Sequence, residues 1–331
     1  MVQNGWGEYG LYPCLHQNLL TEERSNIKKY KLRGNKMNKA ELLTFFRDKA
    51  LDFYEDVEGK TLTYKEKAAA MNKKIVKLRE DVIEDFLLNT ANENGRLGLV
   101  LLITYVSYIV MLEFRNKLWP YEYMAFSRRI GELWEPFCKL PFEYPLKELS
   151  LYSPPNIEDV KLTLKSEINE LVENLDIKPT EKARLLQYYQ AIWALIDNGG
   201  SISLTLDLHF EQLSEYYDVD YKSGFSSNEK GNTNRLLLVA SIYKSLPDIH
   251  NNLIFVRQLE EENNHYLQTL KNSGLWDVYC ADDAYSKISD FTGFDMKNWM
   301  NINMNWSDDV TPEFREYLTS NDLLKYLFLL F

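Results

Sequence analysis

Ser201–Arg235, SISLTLDLHFEQLSEYYDVDYKSGFSSNEKGNTNR, is the stretch whose reading decides the fold. Its opening alternates: Ile202, Leu204, Leu206 and Leu208 fall on one face, and Ser203, Thr205, Asp207 and His209 on the other. A period of two predicts a half-buried strand with a polar face. Tyr217–Phe225 predicts a partner strand on which Asp220 and Lys222 share a face, because side chains repeat every two residues. Two carboxylates and an ammonium meeting at a sheet edge can hold a divalent cation and position a water, the minimum apparatus for metal-dependent phosphodiester hydrolysis. The same residues also fit a wet strand face, but aspartate is disfavoured in strand interiors.

Working downstream, residues 223–235 predict a polar loop. Ser223, Asn228, Lys230, Asn232, Asn234 and Arg235 are of the types that bind phosphates and base edges. A helix over Thr233–Leu246 would point its N-terminal dipole at an anion there. A third strand, Leu253–Gln258, ends on Arg257 and Gln258, the types that pair bidentately with guanine and adenine. Helix Glu260–Lys271, strand Leu275–Ala281 and an apolar C-terminal helix over Asn321–Phe331 complete the chain. No GxxxxGK[ST] phosphate loop is present.

Upstream, apolar spacing predicts helices over Ile157–Asn174 and Thr180–Asp197, the second capped by Thr180 and stopped at Asn198-Gly199-Gly200. Pro136, Pro141, Pro145, Pro154 and Pro155 predict a non-helical connector. This divides a mostly helical region, 1–150, from a core, 151–331. Within the first region, residues 1–36 read as a loose arm, with Gly5, Gly7, Gly10 and Pro13 ahead of a basic run. Asn38 and Glu41 form a capping box that starts the first clean helix. The apolar run Leu97–Leu112 is shorter than the roughly 20 residues of a membrane span and is interrupted by Thr104, Tyr105, Ser107 and Tyr108, which predicts a buried central helix. Glu132 lies on a helical stretch with Arg128 and Arg129, and His209 shares the face of Asp207. Both are second-tier site candidates, with a salt-bridged helix face and an ordinary strand histidine as the alternatives.

The composition is that of a globular chain: 331 residues, 45% hydrophobic and 14% aromatic. A net charge of −11 weighs against a broad phosphate-binding surface. The positive charge is local instead, with seven Lys and Arg between Arg24 and Lys39. Three scattered cysteines, Cys14, Cys138 and Cys280, exclude a disulfide framework and a Cys-rich zinc site, and fit a reducing cytoplasm. The N-terminus shows no basic-then-apolar signal segment.

The order strand, turn, strand, polar loop, helix, strand, with Asp207, Asp220 and Lys222 at these places, resembles the PD-(D/E)xK nuclease superfamily and, within it, type II restriction endonucleases. Leu206 stands where that pattern has proline, and Asp220 where glutamate is commoner. The resemblance covers Ser201–Gln258. It implies an α/β restriction-endonuclease-like core with a mixed β-sheet flanked by helices. It further implies Mg²⁺ held by Asp207 and Asp220, with Lys222 catalytic, and cleavage of double-stranded DNA by a homodimer accompanied by a protective methyltransferase. The rival expectations are another nuclease of this fold in repair or phage defence, a non-catalytic nucleic-acid-binding module, and a glycoside hydrolase. Lysine beside the second carboxylate argues against the last.

Overall fold

The computed structural model describes residues 38–89, 95–198, 203–226 and 229–328. The arm expected over 1–36, the stop at Gly199-Gly200 and the candidate Asn228 lie outside these.

A helical layer comes first: α1 (Lys39–Glu58), α2 (Tyr64–Asn89) and α3 (Arg96–Leu118). The capping box forms as expected, with Asn38 Oδ1 accepting from the Glu41 amide and Glu41 accepting from the Asn38 amide. α3 is the one described helix long and apolar enough to cross a membrane, and most of it is buried inside the protein. Its buried Glu113 confirms a protein environment. Arg47 grips that carboxylate at 2.7 and 3.0 Å, and the Thr311 amide donates to it at 2.7 Å.

α4 (Tyr123–Glu143) corrects the proline connector, because Pro136 and Pro141 lie inside the helix. An interior proline costs about 3 kcal/mol. Against that, Phe126, Ile130, Leu133, Trp134, Phe137 and Phe142 are all buried on one stripe, each contributing roughly 1.5–3 kcal/mol. Tertiary burial overrides the local breaker, and the helix runs on to Glu143, with Pro145 just beyond.

The remaining elements are β1 (Ser150–Leu151), α5 (Ile157–Glu173), α6 (Pro179–Asn198), β2 (Leu208–Gln212), β3 (Glu215–Lys222), α7 (Lys230–Tyr243), β4 (His250–Val256), α8 (His265–Asn272) and β5 (Asp277–Cys280). The C-terminal segment adds α9 (Asp282–Thr292), α10 (Met296–Asn303), α11 (Trp306–Asp309), α12 (Pro312–Ser320) and α13 (Leu324–Phe328). The fold is α/β, with the strands in the order β1-β2-β3-β4-β5 in one mixed sheet. β1, β2 and β3 pair antiparallel, while β3, β4 and β5 pair parallel.

The first strand starts later than its alternation predicts. Residues 203–206 are not in the ladder, and β2 begins at Leu208. The cause is local: Asp207 Oδ2 accepts the Tyr221 amide at 2.7 Å, so a side chain occupies the donor that a strand carbonyl would otherwise take. Leu204 and Leu206 are still buried, which explains why they look like a strand face.

The sheet has a helical layer on each side. Leu208, Phe210, Val219, Tyr221 and Phe255 belong to a core shared with α4, α9 and the helical layer. Ile254 and Val256 pack on the other side with Leu204, Leu206, α7 and α8. The first core runs from Leu42 to Leu327. Lys39 reaches Asp309 at 2.8 Å, and Tyr317 donates to the Tyr121 carbonyl at 2.7 Å. The 150/151 line therefore cuts through one continuous core, because the C-terminal helices return to cover the N-terminal ones.

Candidate functional site at the end of strand β3

Asp220 and Lys222 do share a face of β3, and they touch. The Lys222 ammonium meets Asp220 Oδ2 without a well-aligned hydrogen bond. Arg235, on α7, approaches Oδ1 at 3.4 Å. Asp207 lies just ahead of β2, one residue before the Leu208–Val219 pair, and its charge acts on Asp220. Its amide bonds the Val219 carbonyl at 3.0 Å. The three residues expected from spacing are thus gathered at one place.

Asp220 is only 2% exposed. Burial raises its carboxyl above the usual aspartate range; Lys222 pulls it down, and the Asp207 charge pushes it up again. The buried Asp220 and its neighbour Asp207 face two cations, Lys222 and Arg235, so the carboxylates are already matched in charge. Among the described residues no three His, Cys, Asp or Glu side chains gather at metal-binding distance. A small hard cation would therefore have two carboxylates as protein ligands and keep several waters, which is the ordinary habit of Mg²⁺. In donor type the two carboxylates suit that ion, which would take over Asp220 Oδ2 from the Lys222 ammonium.

The site lies at the carboxyl end of the parallel strands, where two loops are tied together. Arg257 is buried and donates through Nε and Nη2 to Ser223 Oγ at 3.0 and 2.8 Å. The Phe225 amide donates to Asn263 Oδ1 at 2.7 Å. Gln258 lies over Gly224 so closely that a Cβ there would sit 1.6 Å from Gln258 Oε1. Ser223, Arg257 and Gln258 thus hold the loop in shape.

The other loop candidates are on α7, which begins at Lys230 rather than Thr233. Lys230 and Asn234 are exposed. Asn232 bridges Glu229 and Arg235 at 3.1 and 3.4 Å. Glu132 sits on α4, which packs against the Tyr221 face of β3. Its two oxygens are taken by Arg128 and Arg129 at 2.8 and 3.1 Å.

His209 is corrected as a metal or phosphate ligand, because both its ring nitrogens bond within the protein. Nε2 accepts the Leu206 amide at 2.9 Å, so Nδ1 carries the proton and donates to Asp218 Oδ1 at 2.8 Å. The residue that spacing missed is Asp218, which is fully buried. His250 meets its second oxygen at 2.7 Å, and the Tyr152 hydroxyl donates to the first. Burial raises this carboxyl, but the hydrogen bonds from His209, His250 and Tyr152 outweigh it and hold the group below its usual range. The cluster ties β2, β3 and β4 to Tyr152, the residue after β1, directly beside Asp220.

No family model matches the chain, and neither does any curated protein or solved structure compared with it.

Proposed function

We propose that this chain is a Mg²⁺-dependent nuclease acting on double-stranded DNA, with Asp207 and Asp220 as the metal ligands and Lys222 as the catalytic lysine. The observation that carries the proposal is the contact of Lys222 with a buried Asp220 that feels the charge of Asp207, at the carboxyl end of a parallel strand. The element order from β2 onward supports it further: antiparallel β2 and β3, helix α7, then parallel β4. This is the order in which strand, turn, strand, polar loop, helix and strand were expected.

When bound, Mg²⁺ supplies charge neutralisation at the scissile phosphate and acidity to a coordinated water. The chain's own residues orient the reaction. Lys222, only 17% exposed at its side chain, keeps an ammonium at the carboxylate pair, where it can hold the attacking water or a phosphate oxygen. Arg235 adds a second cation from α7, on the same side. The hydrogen bond from the Tyr221 amide fixes Asp207.

The restriction-type assignment predicts that phage DNA is cut into discrete bands, whereas a smear indicates a nonspecific nuclease. Lys222→Ala is expected to bind DNA as before and to lose about 10²–10³ in cleavage rate, by analogy with losing an oxyanion donor. Cleavage at the normal rate in that variant would remove Lys222 from the mechanism. Binding by the wild type in Mg²⁺ without any cutting would indicate a non-catalytic DNA-binding module.

A further inference from the structure

The helical layer holds a cavity that the nuclease assignment leaves unexplained. It lies between α2, α3 and α4, has a volume of about 500 Å³, and shares no residue with the carboxylate site. That volume falls within the range of small-molecule pockets, roughly 300–1,000 Å³. Part of its wall is apolar: Ile83 and Leu87 come from α2, Val100 from α3 and Leu140 from α4. Ile83 and Leu87 are one helical turn apart, as are Val100 and Thr104, so each helix turns one stripe toward the cavity. Thr104 is the unusual member of that lining. It is 2% exposed, and its hydroxyl has no hydrogen-bond partner. Other helical threonines, Thr44, Thr163 and Thr292, donate to the carbonyl four residues back, at 2.9, 3.1 and 2.8 Å. Buried hydroxyls are nearly always bonded, so one left open in a cavity wall is a binding group for an occupant.

Charge says what kind of occupant. Glu80 and Glu84 from α2 and Glu143 from the end of α4 line the same cavity. The basic residue of the lining, Arg79, lies over the Tyr108 ring, 5.8 Å from its centroid. Lys139, whose charge also reaches Glu143, is bonded to Glu135 at 2.6 Å. Three carboxylates against one guanidinium leave the cavity negative. Partial burial raises the Glu143 carboxyl, and Lys139 and Arg79 offset this only in part. A cation placed beside it would restore the charged form.

We propose that this cavity binds a small organic amine: a protonated amino group held by the glutamates, on an apolar body that carries a hydrogen-bonding atom for Thr104 Oγ1. The carboxylates accept charge-assisted bonds from the amine, and Ile83, Leu87, Val100 and Leu140 cover the body. Other occupants match fewer of these groups. An anion meets three carboxylates. A metal ion is disfavoured, because among the described residues no three His, Cys, Asp or Glu side chains gather at binding distance. A hydrated ion also gains nothing from an apolar wall. A plain polyamine has the charge but no body to bury.

The inference does not depend on the nuclease assignment, since binding is read without DNA. The test is isothermal titration calorimetry of the full chain in about 0.15 M NaCl, which screens diffuse attraction to a chain of net charge −11. The probe is tyramine, a phenolic amine. Two controls each keep part of its chemistry: 3-(4-hydroxyphenyl)propionate replaces the amine by a carboxylate, and putrescine keeps amines without a ring. Tyramine is expected to bind saturably with a Kd below about 1 mM, and each control at least about tenfold more weakly. Glu84→Gln with Glu143→Gln is expected to weaken tyramine at least about tenfold, and Thr104→Val at least about threefold. Both glutamates are exposed, so the fold should survive, as circular dichroism will register. Failure of tyramine to saturate, equal binding of either control, or unchanged affinity in either folded variant would each overturn the proposal.

Discussion

Asp220 has two neighbours of opposite effect, Lys222 and Asp207, and burial decides the outcome by raising its pKa. The sign follows from linkage. A carboxyl raised in the folded state contributes stability below the unfolded aspartate value of about 3.9, and that contribution is lost as pH rises through the folded value. A bound cation needs the ionised form, so it acts in the opposite sense. Mn²⁺ is therefore expected to raise the melting temperature at pH 8, to do so less as the pH is lowered toward 5, and to do nothing for Asp220→Asn. At one hundred times its dissociation constant, the stabilisation would be about 2.7 kcal/mol. An equal Mn²⁺ shift in Asp220→Asn would place the ion elsewhere. The Asp220–Lys222 contact was legible in the sequence because a strand repeats every two residues. By the same parity Asp218 joins that face, a signal present in D-x-D-x-K. Its partner His250 was not legible, since only the parallel register of β4 beside β3 brings it there.

At the scale of elements, local rules failed where a tertiary group replaced the backbone. Asp207 ends the β2 ladder by taking the Tyr221 amide, so alternation alone placed the strand several residues early. The β2–β3 turn is made by Leu213 and Ser214, both at positive φ and neither a glycine, so it lacks the usual turn signature. Two prolines in α4 read as breakers, although six large buried side chains on one stripe hold that helix. The Asp218 cluster joins three strands and Tyr152, the residue after β1, and its removal should be felt by all of them. Asp218→Ala leaves His209, His250 and Tyr152 facing an empty acceptor, at about 1–3 kcal/mol for each unmet group. A loss of at least about 3 kcal/mol is expected in urea unfolding at pH 7. In the wild type, the depressed carboxyl contributes its stability above about pH 4 and loses it as pH falls through the lower folded value. A variant as stable as the wild type at pH 7 would show that the cluster does not hold the strands.

Over the whole molecule, the α/β class and the central buried helix were readable from periodicity and composition. The division at residue 150 was not, because the chain's last helices pack back on its first ones. That arrangement makes the sheet a layer within a larger helical body, with the carboxylate pair at the end of its parallel strands. The account rests on that pair and its lysine acting on DNA. The most direct measurement is incubation of supercoiled plasmid with the wild type and with Asp220→Asn, each in Mg²⁺ and in EDTA. Nicked or linear product is expected only from the wild type, and only in Mg²⁺. Intact plasmid with the folded wild type in Mg²⁺, or cleavage by Asp220→Asn at the wild-type rate, would contradict it.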